Sequence, residues 1–210
     1  MAESRPYQSE RRRRQAAETR RDILQAARRL FAERGYAATP LSEIAAAAGV
    51  SVPTLYASVG AKADIARALV EFVNEEAEIA EHDRRQQATE TAPQLIRANV
   101  HLVRVLNERC GDIIRAMTSA AASEPEVMPA LEAGRRYHRE GEQAIARRLS
   151  QLGALREGIS EAEAAAISST LLSYEVFALF ALTEGWSYDR IEDFLAATLI
   201  QLLLPPGTPP

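Results

Sequence analysis

The sequence predicts an all-α protein, and three observations carry that prediction. Alanine, leucine, glutamate and arginine dominate the chain, and all four are good helix formers. Apolar residues recur at spacings of three and four, while period-two alternation of β-branched residues is scarce. The interruptions are short and built from glycine, proline, serine and threonine. They divide the 210 residues into about nine helices, three short ones in an N-terminal head and six longer ones in a body.

Residues 1–18, with "RRRR" at 11–14, read as a basic flexible arm. In "TRRDILQAARRLFAERG", Ile23, Ala27, Leu30, Phe31 and Arg34 fall on helical spacing and Gly35 is a stop signal. Thr39 then suits an N-cap and Pro40 the first helical position, where its missing N–H is harmless. "LSEIAAAAG" gives two turns ending at Gly49, and a third helix starts near Ser51. Ser51 is its expected cap. Because Pro53 has no N–H, the capping bond should come from Thr54. A longer helix runs from about Ala61 into "RALVEFVNEEAEIAEH", and the polar "DRRQQATETAPQ" is a candidate break. "LIRANVHLVRVLNE" and "CGDIIRAMTSAAAS" resume the periodicity, and "EPEVMP" turns the chain into "ALEAGRRYHREGEQAIARRLSQLG". Two strongly apolar helices follow, "EAEAAAISSTLLSYEVFALFALTEG" and "SYDRIEDFLAATLIQLLL", and residues 205–210 read as a disordered tail.

Composition excludes several classes. No uninterrupted apolar run approaches the roughly 18–20 residues of a membrane helix, so no membrane partner is expected. The start does not read as a secretory signal, and the default is a cytoplasmic protein. The single Cys110 permits neither an internal disulfide nor a cysteine-only metal site. His82, His101 and His138 show no metal-ligand spacing, and no cofactor or metal is expected. The net charge of −4 hides a segregation: residues 1–68 carry +5 and residues 69–210 carry −9. A basic head on an acidic body suggests that only the head meets a polyanion, the competing reading being a solvated basic arm.

The stretch "AGVSVPTLYASVGAK", residues 48–62, joins two short helices by a tight glycine turn, the helix-turn-helix unit. On a helical wheel Val52, Leu55 and Val59 face inward towards Ile44, Phe31 and Leu30, and Pro53, Thr54, Ala57 and Ser58 face outward. Tyr56 sits on the boundary, its ring half packed and its hydroxyl able to reach a phosphate.

The stretch "ILQAARRLFAERGYAATPLSEIAAAAGVSVPTLYASVGAKADI" resembles the DNA-binding head of TetR-type (tetracycline-repressor-like) transcriptional regulators. The resemblance is continuous over residues 20–66: Phe31 and Gly35, "EIA" at 43–45, "AGVS" at 48–51, "TLY" at 54–56 and Lys62. It implies a DNA-binding domain over 19–66 and a helical sensor and dimerisation domain over 67–204. It also implies a homodimer on a near-palindromic double-stranded operator, released by a small-molecule effector. By position, Val52, Pro53 and Thr54 would approach base edges, with Ser51 as the cap beside them. Tyr56 and Lys62 would hold phosphates, Ser58 lies where some members contact DNA, and Thr39 would touch the backbone. Two departures stand out: the aromatic-rich "YxYF" is "YASV" here, and the usual acidic pair after the lysine is "AD". The third helix therefore carries no Arg, Asn or Gln, so bidentate pairing to guanine or adenine is not available from it. Arg11, Arg12, Arg13 and Arg14 are expected to enter the minor groove or hold phosphates, the competing reading being that they begin an exposed extension of the first helix.

In the body, His101, Met117, Tyr137, Tyr174 and Phe177 are the candidates for a common effector cavity. The last two helices are apolar over more than one face, which calls for a second covering surface. Leu171, Leu172, Phe180, Leu195 and Leu199 are the expected dimer contacts, the competing reading being burial within one subunit. A repressor is the leading functional reading, with an activator or constitutive binder of the same fold as the alternative. An all-helical enzyme is the remote one, since no nucleophile–base pair, phosphate-cradling loop or metal motif is present.

Overall fold

The computed structural model describes residues 4–76 and 91–208. His82 and most of the polar break expected at 83–94 lie outside them. The described residues are helical, in the order α1 (Ser4–Arg34), α2 (Leu41–Ala47), α3 (Val52–Ser58), α4 (Lys62–Glu76), α5 (Ala92–Ala120), α6 (Met128–Gln151), α7 (Glu161–Leu171), α8 (Tyr174–Ala178) and α9 (Tyr188–Leu203). They form two compact units. The first comprises residues up to Phe72 together with Asp112–Leu131, and the second comprises Val73–Gly111 and the chain from Glu132.

In the first unit, Ile23, Leu24, Ala27, Leu30 and Phe31 form the buried stripe of α1. α2 and α3 pack against α1, burying Ile44, Ala45 and Leu55, and Ile65 and Leu69 of α4 are buried as well. The basic arm expected at 1–18 is helical from Ser4, so α1 is 31 residues long, or about 46 Å at 1.5 Å per residue. Its strongly helix-forming Arg, Gln, Ala and Glu residues, with a 2.8 Å ion pair between Arg14 and Glu10 one turn apart, account for the extension. Residues 10–18 are exposed throughout. Later on the helix, Arg28 pairs with Asp112 through two 3.1 Å hydrogen bonds, the planar fork matching the carboxylate.

Thr39 is not the cap of α2. Its hydroxyl donates to the Gly35 carbonyl at 2.8 Å and faces the Leu30 carbonyl at 3.4 Å, filling acceptors that the last turns of α1 leave open. Pro40 takes the cap position instead, without a side-chain bond. The end of α2 is a Schellman turn: Gly49 N–H donates to Ala46 and Val50 N–H to Ala45, with Gly49 at φ +68°. Ser51 caps α3 as expected, its hydroxyl accepting from Thr54 N–H at 3.2 Å.

The core of the second unit joins Leu95, Ile96, Val100 and Val103 of α5, Ile145 and Leu149 of α6, and one face of α9. The predicted continuous helix "EAEAAAISSTLLSYEVFALFALTEG" is broken. Leu172 ends α7, and Ser173 caps α8 by accepting from Val176 N–H at 3.4 Å. A π-helical turn then covers Leu179–Thr183. By length and composition alone the segment Glu161–Thr183 is apolar enough to cross a membrane, but Ser168, Ser169, Thr170, Ser173 and Glu175 interrupt its apolar run, and 22% of its most apolar window is buried. That low burial leaves Leu179 at 59% and Leu182 at 62% exposure.

Candidate nucleic-acid interface

The outward face of α3 is set by one anchor. Leu55 is fully buried against α1 and α2, which fixes the rotation of a helix only seven residues long. Pro53, Thr54 and Ala57 are thereby exposed, while Val52, Ser58 and Val59 are half-buried. Tyr56 is 52% exposed, a boundary position as the periodicity predicts. The hydroxyls of Ser51 and Thr54 are 2.8 Å apart, so the cap is tied to a residue expected at base edges.

Thr39 is fully buried, and its hydroxyl is committed to carbonyls of this unit. Its side chain has no surface to offer to a DNA backbone, contrary to the expectation. Lys62 occupies an intermediate position. Its Nζ donates to the Ala37 carbonyl at 3.2 Å and stands 4.4 Å from the centre of the Tyr36 ring. Burial pulls its pKa below the usual lysine range, against the carboxylates of Glu124 and Glu126. Tyr36, 2% exposed and packed on Phe31, has its hydroxyl pushed up to about 12, first by burial and then by Glu126 and Glu124. Lys62 thus ties the loop after α1 to the start of α4. An ammonium has three donors, and the Ala37 carbonyl takes one.

The four arginines do not form an isolated arm. A cleft of about 650 Å³ lies between the N-terminal turns of α1 and α3. Arg11, Arg12, Gln15, Ala16 and Thr19 line one side, and Thr54, Ala57 and Ser58 line the other. Gln15 carries no role in the sequence reading; the only signal was its i+4 spacing from Arg11, which has meaning once α1 is known to be helical there.

The five effector candidates are divided between the two units: Met117 is buried in the first, whereas His101, Tyr137, Tyr174 and Phe177 belong to the second. There, Phe177 is core at 1% exposure, and Tyr137 is on the surface at 51%. His101 Nδ1 is 2.9 Å from Glu192 Oε1, and the Tyr174 ring lies over Gly111. The polar centre of this unit is elsewhere. Glu142, 2% exposed, accepts from Asn99 Nδ2 at 3.0 and 3.1 Å. Burial drives its pKa up, against the charge of His138 and the Asn99 hydrogen bond. Its signal in the sequence was a carboxylate on the same face as Ile145 and Leu149, with His138 one turn before it.

The dimer candidates also divide. Leu172, Leu195 and Leu199 are each 1% exposed and form core, so they are corrected to intramolecular contacts. Leu171 and Phe180 are half-buried. The exposed apolar side chains are their neighbours Leu179, Leu182, Phe194 and Leu202. Phe194 is edge-on to Phe180 and Trp186, each 5.5 Å away, and Arg190 covers the other part of Trp186 at 3.7 Å.

Known proteins match this arrangement. The sequence model of "bacterial regulatory proteins, tetR family" matches residues 23–69. The HTH-type transcriptional regulator TtgR of Pseudomonas putida is 36% identical over 81 residues, and a probable HTH-type transcriptional regulator of the same species, ArpR, is 37% identical over the same length. These matches span 39% of the chain and 36% of each relative. Among solved structures, the SmeT–triclosan complex superposes with a TM-score of 0.74 at 25% identity, covering 90% of this chain and 93% of that one. The regulator FadR from Bacillus subtilis in complex with stearoyl-CoA gives 0.72 at 18% identity, covering 86% and 97%, a likeness of fold. Residues 23–69, the helix-turn-helix head, are thus similar to the DNA-binding head of the tetR family of bacterial regulatory proteins.

Proposed function

We propose that this protein is a ligand-responsive, DNA-binding transcriptional regulator of the cytoplasm, a repressor that binds a near-palindromic operator as a homodimer and is released by a small molecule. The observation that carries the reading is α3. It is a seven-residue helix capped by Ser51, anchored by Leu55 and presenting Pro53, Thr54 and Ala57 to solvent, in a segment that matches the family model. Residues 19–66 form the DNA-binding domain and residues 67–204 the sensor and dimerisation domain in this reading. Tyr56 and the arginines of α1 supply phosphate contacts, Lys62 adds its remaining donors, and Val52 and Thr54 meet base edges. The triclosan and stearoyl-CoA complexes of similar folds support a largely apolar effector. The exposed Leu179, Leu182, Phe194 and Leu202 support self-association. A symmetric dimer of this kind sets its two α3 helices one DNA turn apart, about 34–36 Å.

The test is titration onto a duplex from upstream of the protein's own gene and onto a shuffled duplex, at two salt concentrations. The expected result is preference for the first duplex, weakening with salt as counterions are released, and loss of most affinity in Tyr56→Ala. Equal binding of both duplexes by wild type and variant would refute the assignment of α3.

A further inference from the structure

The recognition helix has a deficit that the fold makes good from another element. We propose that the N-terminal turns of α1 form a second reading element, with Gln15 contacting a base and Arg11 and Arg12 holding the phosphates beside it. This rests on the regulator reading above and names the residue that gives it sequence selectivity.

The argument begins with what α3 presents. Its exposed and half-exposed side chains are apolar or carry a single hydroxyl, so none forms a two-pronged pair with a purine. Arg11, Gln15 and Thr19 are spaced i, i+4, i+8 and share one face of α1. That face lines the same cleft as Thr54, Ala57 and Ser58. A DNA edge lying against the α3 hydroxyls therefore lies within the cleft that Gln15 faces. The Gln15 amide offers a donor and an acceptor together, the pair that adenine matches in the major groove. It carries no charge, so its contribution goes to recognition rather than to general attraction for phosphate.

The helical state of residues 11–14 also decides which groove is involved. A helix with side chains is about 10–12 Å across, against a minor groove about 6 Å wide and a major groove about 12 Å wide. An extended arginine arm enters the minor groove; a helix does not. With α3 in the major groove, α1 stands at its rim and reaches in with side chains. Arg11–Arg14 are four like charges within one turn, and adjacent phosphates relieve their repulsion.

The experiment starts by selecting duplexes that bind the full-length chain from a randomised pool, then compares a selected duplex with its shuffled counterpart. Gln15→Ala should lower the ratio of the two affinities by about 5- to 150-fold for each half-site, the discrimination of one bidentate pair, and leave the shuffled duplex unaffected. Arg11→Ala and Arg12→Ala should weaken both duplexes equally and each lower the salt slope by about one per bound subunit. Reselection with Gln15→Ala should lose a preferred base at one position of each half-site. Gln15 is exposed and alanine is the better helix former, so the variant keeps its helix, which circular dichroism checks. An unchanged ratio and an unchanged selected sequence in Gln15→Ala would overturn the proposal while leaving the regulator reading intact. A wild-type chain that enriches no sequence would instead overturn the regulator reading.

Discussion

Glu142 sets burial against charge. It is 2% exposed, and an amide from Asn99 with a nearby histidine, His138, is what faces its carboxylate. Desolvation of the anion prevails, so the native pKa is raised above the ordinary 4.5. A raised native value means that the folded chain binds this proton more tightly than the unfolded one. The associated stability is complete below the ordinary value and is lost as pH rises through the native one. Glu142→Gln keeps an acceptor for Asn99 and removes the charge. Its melting temperature should exceed that of wild type at pH 8, by about 2–4 °C for each kcal/mol recovered, and the gap should close on acidification. Parallel melting curves across pH would show that Glu142 is not desolvated. The local signal, a carboxylate sharing a face with Ile145 and Leu149, was not decisive, because an acidic side chain on an otherwise apolar face reads as a helix of slightly wider polar arc. Its burial follows from which helices surround α6.

Short elements depend on their ends. The start of α4 is held by Asp64, which accepts from the Ala61 N–H at 2.8 Å and pairs with Arg67. Gly60 lies two residues before α4 at φ +107°, and a Cβ there would collide with the Asp64 carboxylate. Gly60→Ala therefore combines a backbone that side chains rarely adopt with displacement of the capping carboxylate. A loss of about 1–3 kcal/mol in denaturant unfolding is expected, without change in the α3 face itself. An unfolding midpoint equal to wild type would rule out this account of the turn. Elements whose signals are local were legible: Gly49 as the turn, Ser51 as the cap, and Thr54 as the donor to that cap. Thr39 was not, because a hydroxyl before a proline reads alike whether it caps the next helix or bonds back to the previous one. The break at Ser173 was hidden in the same way, since apolar residues on both sides masked a serine cap. The direction in which α9 faces was missed by a single position: Leu195 is core and Phe194 is surface. A helix apolar on several sides leaves its rotation to be chosen by packing.

At the scale of the whole molecule, four of the six exposed large apolar side chains among the described residues lie on the π turn and α9. They are Leu179, Leu182, Phe194 and Leu202, and the aromatic contacts of Phe180, Trp186 and Phe194 underlie this surface. Phe194→Glu places a charge on this surface while leaving the neighbouring core residues Leu195 and Leu199 in place. It should convert a dimer to a monomer in sedimentation at micromolar concentration, with little change in helical content and a large loss of operator affinity. An unaltered sedimentation profile would assign the interface to another surface. The helical class, the order of the elements and the helix-turn-helix were legible because they rest on spacing along the chain. The α1–α3 cleft was not, because it joins residues some forty positions apart and depends on α1 beginning at Ser4. That same feature separates two demands that usually collide in a DNA-reading helix. Residues 10–18 are exposed and add nothing to the apolar interior, so a replacement there carries almost no folding penalty. If α1 reads bases as proposed above, single changes there would alter operator preference at little cost to folding.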